Sequence, residues 1–361
     1  MPFVSSEKTE TLEAEDPLCP VFGLCGGCSH QNLTYASELK VKAEGLRKTL
    51  CSRISLEGVA FETVVASPSH YHTRNRLDLT MVRGKDKSVQ VGFMPPGSKK
   101  ILPVESCVIA REEISDFIPE LKMQAEKILP ADYRTANLVV KTSDDGRVFW
   151  GGIGRRSLEM NPQDYLWTAL RGRKVYYSLD TFFQANLSIL PLLMDKIESL
   201  IPDNARSLFL DLYSGVGLFG VALADLFKKV MMIEECPASD QMAYYNRAAH
   251  GLHHVHVHEG RVEDVLPGVL SKLDAEILPV AMIDPPRKGL SESAASTLAE
   301  AKRLEKLFYL SCHPESLARD LEFLMSRGWT LERIIPFDFF PRTHHLETLA
   351  LLRPSSREIS A

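Results

Sequence analysis

Leu208-Phe-Leu-Asp-Leu-Tyr-Ser-Gly-Val-Gly217 decides the fold. A short apolar run closes on Asp211 and Leu212. A glycine-containing turn follows, and then a second apolar stretch, so the segment reads as strand, loop, helix. In open α/β sheets ligands bind outside the carboxyl ends of the strands, at turns of this kind. Glycines there let the backbone approach a ligand closely, and the helix start favours an anion. The next apolar run ends in Glu234, roughly 20 residues after the loop, where an acid would take ribose hydroxyls. The spacing of Gly215, Gly217 and Gly220 also fits a dinucleotide loop, and a purely structural turn is an even alternative. The loop alone leaves these readings open.

Working outward, the sequence after about residue 180 alternates strand and helix. Strands are expected at 207–212, 229–234, 254–257, 279–283 and 306–310, with helices between them. Segments 330–339 and 347–352 look like a closing hairpin. This rhythm predicts an α/β fold, a Rossmann-like doubly wound domain. Before it, residues 63–180 read mostly as strands and turns, with a helical stretch at 112–128, which predicts a smaller α+β domain. Leu39, Ala43, Leu46 and Leu50 fall at helical spacing over 36–52. Residues 1–16 are acidic and polar and are expected to be a disordered leader.

The bulk properties exclude several classes. A chain of 361 residues should hold roughly two domains. The formal net charge of −5 means that a nucleic-acid partner must be held by a local basic patch. No apolar run is long enough to cross a membrane. The first ten residues lack a basic and apolar signal-peptide pattern, so a cytoplasmic location is expected. Seven cysteines, unevenly spaced, argue for reduced thiols or a metal site over disulfides.

Two further strand ends carry reactive groups. Ile283-Asp-Pro-Pro-Arg287 ends one strand and aims a carboxylate from a rigid turn, or else caps a helix. Lys306-Leu-Phe-Tyr-Leu-Ser-Cys-His-Pro314 ends another, placing Cys312 where a helix begins. A helix N-terminus there would lower the thiol pKa and favour a thiolate nucleophile. The plainer reading is a small buried hydrophobe. His313 would support the thiolate or face solvent. Glu347, at the start of the last strand, is a base only if it shares the cleft, and otherwise a solvated charge. Cys19, Cys25, Cys28 and Cys107 could hold zinc or an iron–sulfur cluster.

Taken together, Phe183-Gln-Ala-Asn186, Asp211 to Gly217, Asp284-Pro-Pro-Arg287, Ser311-Cys-His-Pro314 and His345-Leu-Glu347 stand in the order found in one family. From about Cys19 to Leu352 the chain resembles the S-adenosylmethionine-dependent RNA uracil-5-methyltransferases, in their iron–sulfur-containing, 23S rRNA-type branch. The resemblance implies that Gln184, Tyr213, Gly215, Glu234 and Asp284 bind S-adenosyl-L-methionine or shape its pocket. It makes Cys312 the nucleophile and Glu347 the proton acceptor, and it turns the cysteine quartet into a [4Fe-4S] site. It implies an RNA substrate, 23S rRNA ahead of tRNA, with the target base extruded into the cleft. A monomer is expected. The segments 17–30 and 63–180 would form the central iron–sulfur and RNA-binding domain. The segments 31–62 and 181–361 would form the methyltransferase domain. In the basic segment Tyr71-His-Thr-Arg74-Asn-Arg76, and at Lys99, Lys100, Arg155 and Arg156, cations would meet phosphates and aromatic rings would stack on bases.

The chain departs from the family pattern in three ways. With 18 residues before Cys19, no N-terminal RNA-binding TRAM barrel is expected. His313 stands where members usually have Asn. Ser214 and Leu218 stand where members have Cys and Asn. Three rivals follow from the same residues: an exocyclic-amine RNA methyltransferase that needs no thiol, a catalytically silent RNA-binding module, and a redox iron–sulfur enzyme.

Overall fold

The computed structural model describes residues 12–128, 130, 132–152 and 155–355. Residues 1–11 of the leader and the side chains of Arg155 and Arg156 lie outside the described residues; residues 12–16, expected to be disordered, are tied down, the Glu13 N–H donating to the Ser37 hydroxyl at 2.8 Å and the Glu15 N–H to the Asn32 carbonyl at 3.2 Å. The strands are β1 (Ala60–Phe61), β2 (Arg76–Arg83), β3 (Val89–Phe93), β4 (Leu102–Pro103), β5 (Thr135–Thr142), β6 (Val148–Gly151), β7 (Leu166–Leu170), β8 (Arg173–Tyr177), β9 (Leu208–Leu212), β10 (Lys229–Glu234), β11 (Val255–Glu259), β12 (Val280–Ile283), β13 (Lys306–Ser311), β14 (Trp329–Phe337) and β15 (Glu347–Pro354). The helices are α1 (Tyr35–Cys51), α2 (Glu112–Ile128), α3 (Leu190–Leu200), α4 (Leu218–Ala222), α5 (Pro237–Ala249), α6 (Val262–Ser271), α7 (Glu292–Glu300) and α8 (Pro314–Ser326).

The larger sheet has eight strands in the order β1-β14-β15-β13-β12-β9-β10-β11. Strands β9 to β13 pair in parallel. β15 runs antiparallel between β13 and β14. β9 and β12 are apolar at almost every position because helices cover both faces, as a doubly wound sheet requires. One core layer packs Phe209, Val230, Met232, Phe308 and Leu349 against α3, α4 and α5. The other packs Leu210, Ile233, Ala281, Tyr309 and Ala350 against α1, α7 and α8. The chain order reverses between β12 and β9, the switch point where such sheets bind ligands.

The smaller sheet, β4-β3-β2-β5-β6, is antiparallel and rests α2 on one face through Ile114, Ile118 and Leu121. The β7–β8 hairpin joins the first core layer through Leu166 and Tyr177. Asn246 of α5 clasps it. Its amide donates to the carbonyls of Tyr176 and Val216, and its Oδ1 accepts from the Tyr176 N–H. One buried side chain thus ties the hairpin to the glycine loop.

Candidate active site

The glycine loop sits between β9 and α4. Gly217 has φ +83°, and a Cβ there would stand 2.8 Å from the Met232 sulfur; one on Gly220 would stand 2.5 Å from it. A side chain at either position would have to displace Met232. Gly215, at φ +56°, faces open space, so that side of the loop is accessible to a ligand. The Ser214 hydroxyl is buried there without a partner, an unmet polar group at the same spot. Tyr213 also has positive φ, at 60°. It lines a cavity of about 390 Å³ with Ile233, Arg261, Pro286 and Leu290. Glu234 points back at the loop: one oxygen accepts from the Gly215 N–H at 2.8 Å, the other from the Cys236 N–H at 2.7 Å. Asp211 is fully desolvated and raised well above the carboxylate range, against a hydrogen bond from the Gly220 N–H.

Asp284 follows β12. It caps no helix, because α7 begins later and has Ser291 as its cap. Its Oδ2 accepts from Gln184 Nε2 at 3.0 Å, so two of the expected cofactor residues meet. Its surface is only partly covered, yet desolvation of the carboxyl pushes its pKa up to about 7, with the Gln184 hydrogen bond opposing. Glu347, 5% exposed, is no solvated charge. Burial and the Asp284 charge raise its pKa, Arg287 lowers it, and its Oε2 has no partner.

Cys312 lies just before α8, as expected, but its pKa moves the other way. Burial pushes the thiol up to about 11, helped by Glu347 and Asp284 and opposed by the nearby Arg287 guanidinium. Burial among carboxylates outweighs the helix end in the free protein. His313 is the cap of α8: its Nδ1 accepts from the Ser316 N–H at 3.4 Å. An Asn would serve the same purpose, so this departure preserves the local structure.

The structure therefore brings Cys312, Glu347, Asp284 and Gln184 together at the carboxyl ends of the strands, with Tyr213, Gly215 and Glu234 along the adjoining ends. The sequence reading missed Arg287 as the cation that offsets this acidic pocket. Its signal was its place in the Asp-Pro-Pro-Arg turn. It also missed the bare Ser214 hydroxyl.

Members of the quartet lie within electrostatic reach of one another in pairs. Cys28 feels Cys25 and Cys107, Cys107 feels Cys19, and Arg74 faces both Cys28 and Cys107. Burial is the main reason that these two thiols rise, Cys28 to about 11. The Gln31 side-chain oxygen accepts from the Cys19 N–H at 3.0 Å, and the Gln31 amide opposes the rise at Cys28. Among the described residues no three His, Cys, Asp or Glu side chains are gathered into a metal-holding group. As a donor set, four thiols with no competing carboxylate suit a thiophilic centre. Cys51 and Cys236 are exposed and apart from this group.

An open α/β sheet with a glycine loop, acids on successive strand ends and a thiol beside them defines the Rossmann-like methyltransferase class. The chain belongs to the tRNA (uracil-5-)-methyltransferase family, whose model matches residues 155–355. It is thus an S-adenosylmethionine-dependent RNA uracil-5-methyltransferase. The chain is 28% identical over 381 residues to the 23S rRNA (uracil(1939)-C(5))-methyltransferase RlmD of Shewanella piezotolerans, covering 95% of this chain and 83% of that one. The RlmD of Salmonella typhimurium is 26% identical over 377 residues, covering 96% and 84%. The fold matches that of the Pyrococcus abyssi tRNA (uracil-54, C5)-methyltransferase, solved with S-adenosyl-L-homocysteine. The TM-score is 0.69, with 22% identity, over 91% of this chain and 86% of that one. No helix among the described residues is long and apolar enough to cross a membrane.

Proposed function

We propose that this chain methylates C5 of one uridine in folded RNA, in 23S rRNA ahead of tRNA, through a covalent bond from Cys312. The convergence of Cys312, Glu347 and Asp284 around Arg287 carries the reading. The RlmD names of the relatives favour the ribosomal substrate.

C5 of uracil is a poor nucleophile. Addition of the Cys312 thiolate to C6 makes the ring an enolate, and C5 then takes the methyl group. Arg287 steadies the thiolate on entry. S-adenosylmethionine supplies the electrophilic methyl; Gln184, Tyr213, Gly215, Glu234 and Asp284 would hold it, and their acidic surroundings suit a cationic sulfonium. Glu347 removes the C5 proton. The C5–H electron pair then forms the C5=C6 bond, and the C6–S bond breaks to return the thiolate to Cys312. The buried, unpartnered Oε2 of Glu347 supports its role as the base.

The quartet Cys19, Cys25, Cys28 and Cys107 would hold a [4Fe-4S] cluster that organises the smaller sheet, in a division at 17–30 and 63–180 against 31–62 and 181–361. Arg74, Arg76, Lys99 and Lys100 would meet phosphates, and Phe182, 65% exposed beside Gln184, offers a face on which an extruded base can stack. The enzyme works as a cytoplasmic monomer. Mass mapping of 5-methyluridine in RNA from a deletion strain tests the substrate. Loss of one 23S rRNA site is expected, and an unchanged map would overturn the proposal.

A further inference from the structure

The loop at 338–346, which delivers Glu347 to the site, is fastened from outside by residues remote in sequence. Asp338 at its start is fully buried. Its Oδ1 accepts from Lys42 Nζ at 2.7 Å and its Oδ2 from the Tyr35 hydroxyl at 2.8 Å. Lys42 also pairs with Glu38 at 2.6 Å and donates to the Phe340 carbonyl, so α1 grips the loop through buried charges.

Arg342 is the centre of the grip. It is 3% exposed and holds a left-handed backbone, φ +66°, that a residue with a Cβ rarely adopts. Its N–H donates to Glu38 Oε1 at 2.7 Å. Its guanidinium donates to the Leu33 carbonyl at 2.9 Å, pairs with Glu15 at 2.6 Å and lies 4.6 Å from the Tyr71 ring centre. Its own carbonyl accepts from the N–H groups of Ser29 at 2.9 Å and His30 at 3.1 Å, the two residues after Cys28. The His30 ring N–H donates to the Thr343 carbonyl at 3.0 Å, and the Thr343 hydroxyl accepts from the His345 N–H at 3.2 Å. Only His344, His345 and Leu346 then separate this strap from Glu347. Strained backbone held through its N–H, its carbonyl and its guanidinium, five residues from a reacting group, points to placement of that group.

We propose that Arg342 is the positioning residue for the base: clasped by α1 and by Ser29 and His30, it sets the Glu347 carboxyl against C5. This rests on Glu347 being the proton acceptor. Addition of Cys312 and methyl transfer do not need that carboxyl in place. Proton removal does, because the C5–H pair must become the C5=C6 bond as the C6–S bond breaks. A loosened strap therefore stalls the enzyme with methylated uridine still joined to Cys312.

The test uses the full-length protein, ordinary uridine-containing 23S rRNA and S-adenosylmethionine. It compares Glu347→Gln, Arg342→Ala, Arg342→Lys and His30→Ala by covalent RNA–protein complex on denaturing gels, tritium release from 5-tritiated uridine, kcat and KM, and cofactor affinity. Glu347→Gln should accumulate the complex. Arg342→Ala should do the same, with kcat lowered by about ten-fold or more, as a small misplacement of a reacting group allows. Its KM for RNA and its cofactor affinity should be unchanged, and Arg342→Lys should recover part of kcat. His30→Ala loses a single hydrogen bond and should show a smaller rise in complex; it decides the matter if Arg342→Ala does not fold. Turnover at the parent rate, or loss of complex together with product while the cofactor still binds, would overturn the strap alone. Absence of complex from Glu347→Gln would overturn the reading of the base, and the strap with it.

Discussion

Cys312 and Glu347 stand next in line at the end of one antiparallel ladder. The last pair between β13 and β15 is Ser311 with Thr348, so the following residue on one strand meets the preceding residue on the other. The Glu347 charge accordingly raises the Cys312 pKa. The proposed nucleophile and base are thus set by sheet register, and a one-residue slip would turn both away.

Burial, with the Glu347 charge adding to it, makes the free thiol sluggish. With its pKa pushed up to about 11, Cys312 should react slowly with iodoacetamide at pH 7 and faster as pH rises toward 11. Arg287→Gln removes the main opposing cation, so its alkylation profile should move to higher pH. Mass spectrometry of the Cys312 peptide across pH provides the measurement, and a fast, pH-independent reaction at pH 7 would contradict the burial argument.

Cys312→Ser should abolish methyl transfer, because a serine hydroxyl at this site is far less acidic than a thiol. Folding should survive, the side chains being nearly equal in size. Parent enzyme should also form a stable adduct with 5-fluorouridine-containing RNA, because fluorine cannot leave as a proton, and the serine variant should form none. An enzyme acting on an exocyclic amine would keep its rate in the serine variant.

Glu347→Gln keeps the shape and removes the proposed base. Steady-state turnover should fall about 10²–10⁴-fold, the usual worth of a positioned acid or base. Initial methyl incorporation, at one per enzyme, should persist. Rapid-quench assays with labelled methyl donor separate the two quantities.

Asp284 makes stability depend on pH. Its folded pKa, about 7, lies above its ordinary value of 3.8. Between these values the folded state keeps a proton that the unfolded chain has lost, so stability falls as pH rises and levels off above about 7. In Asp284→Asn this contribution is absent. Melting temperatures from pH 4.5 to 7.5 should therefore decline less in the variant than in the parent, and parallel curves would refute the assignment.

Replacing Cys28 or Cys107 with Ser should lower iron and acid-labile sulfide content together, measured on protein purified without oxygen. Unchanged content in both variants would remove the quartet from the metal site.

The parallel sheet was legible because each strand is a short apolar run closed by a turn or an acid, as at Asp211, Glu234 and Asp284, and because the helices between follow a 3.6-residue period. The edge strand β1 was not legible, since two residues, Ala60 and Phe61, carry no periodicity. The site was legible at residues whose chemistry is local. Arg287 and Arg342 escaped because their meaning lies in distant partners: Glu38 meets Arg342 across more than 300 positions of chain. The Cys312 pKa was misjudged for the same reason. The helix start is visible in the sequence, but the burial of the thiol and the carboxylate brought beside it by β15 are not.

The sulfur of Met232 fills the space where side chains on Gly217 and Gly220 would go. These two loop positions and a residue on the neighbouring strand are therefore one unit of inheritance. Alanine at position 220 should cost about 1–3 kcal/mol by overpacking, and a smaller residue at 232 should restore what was lost. Room for a side chain at 217 or 220 is thus decided on the neighbouring strand, not in the loop itself.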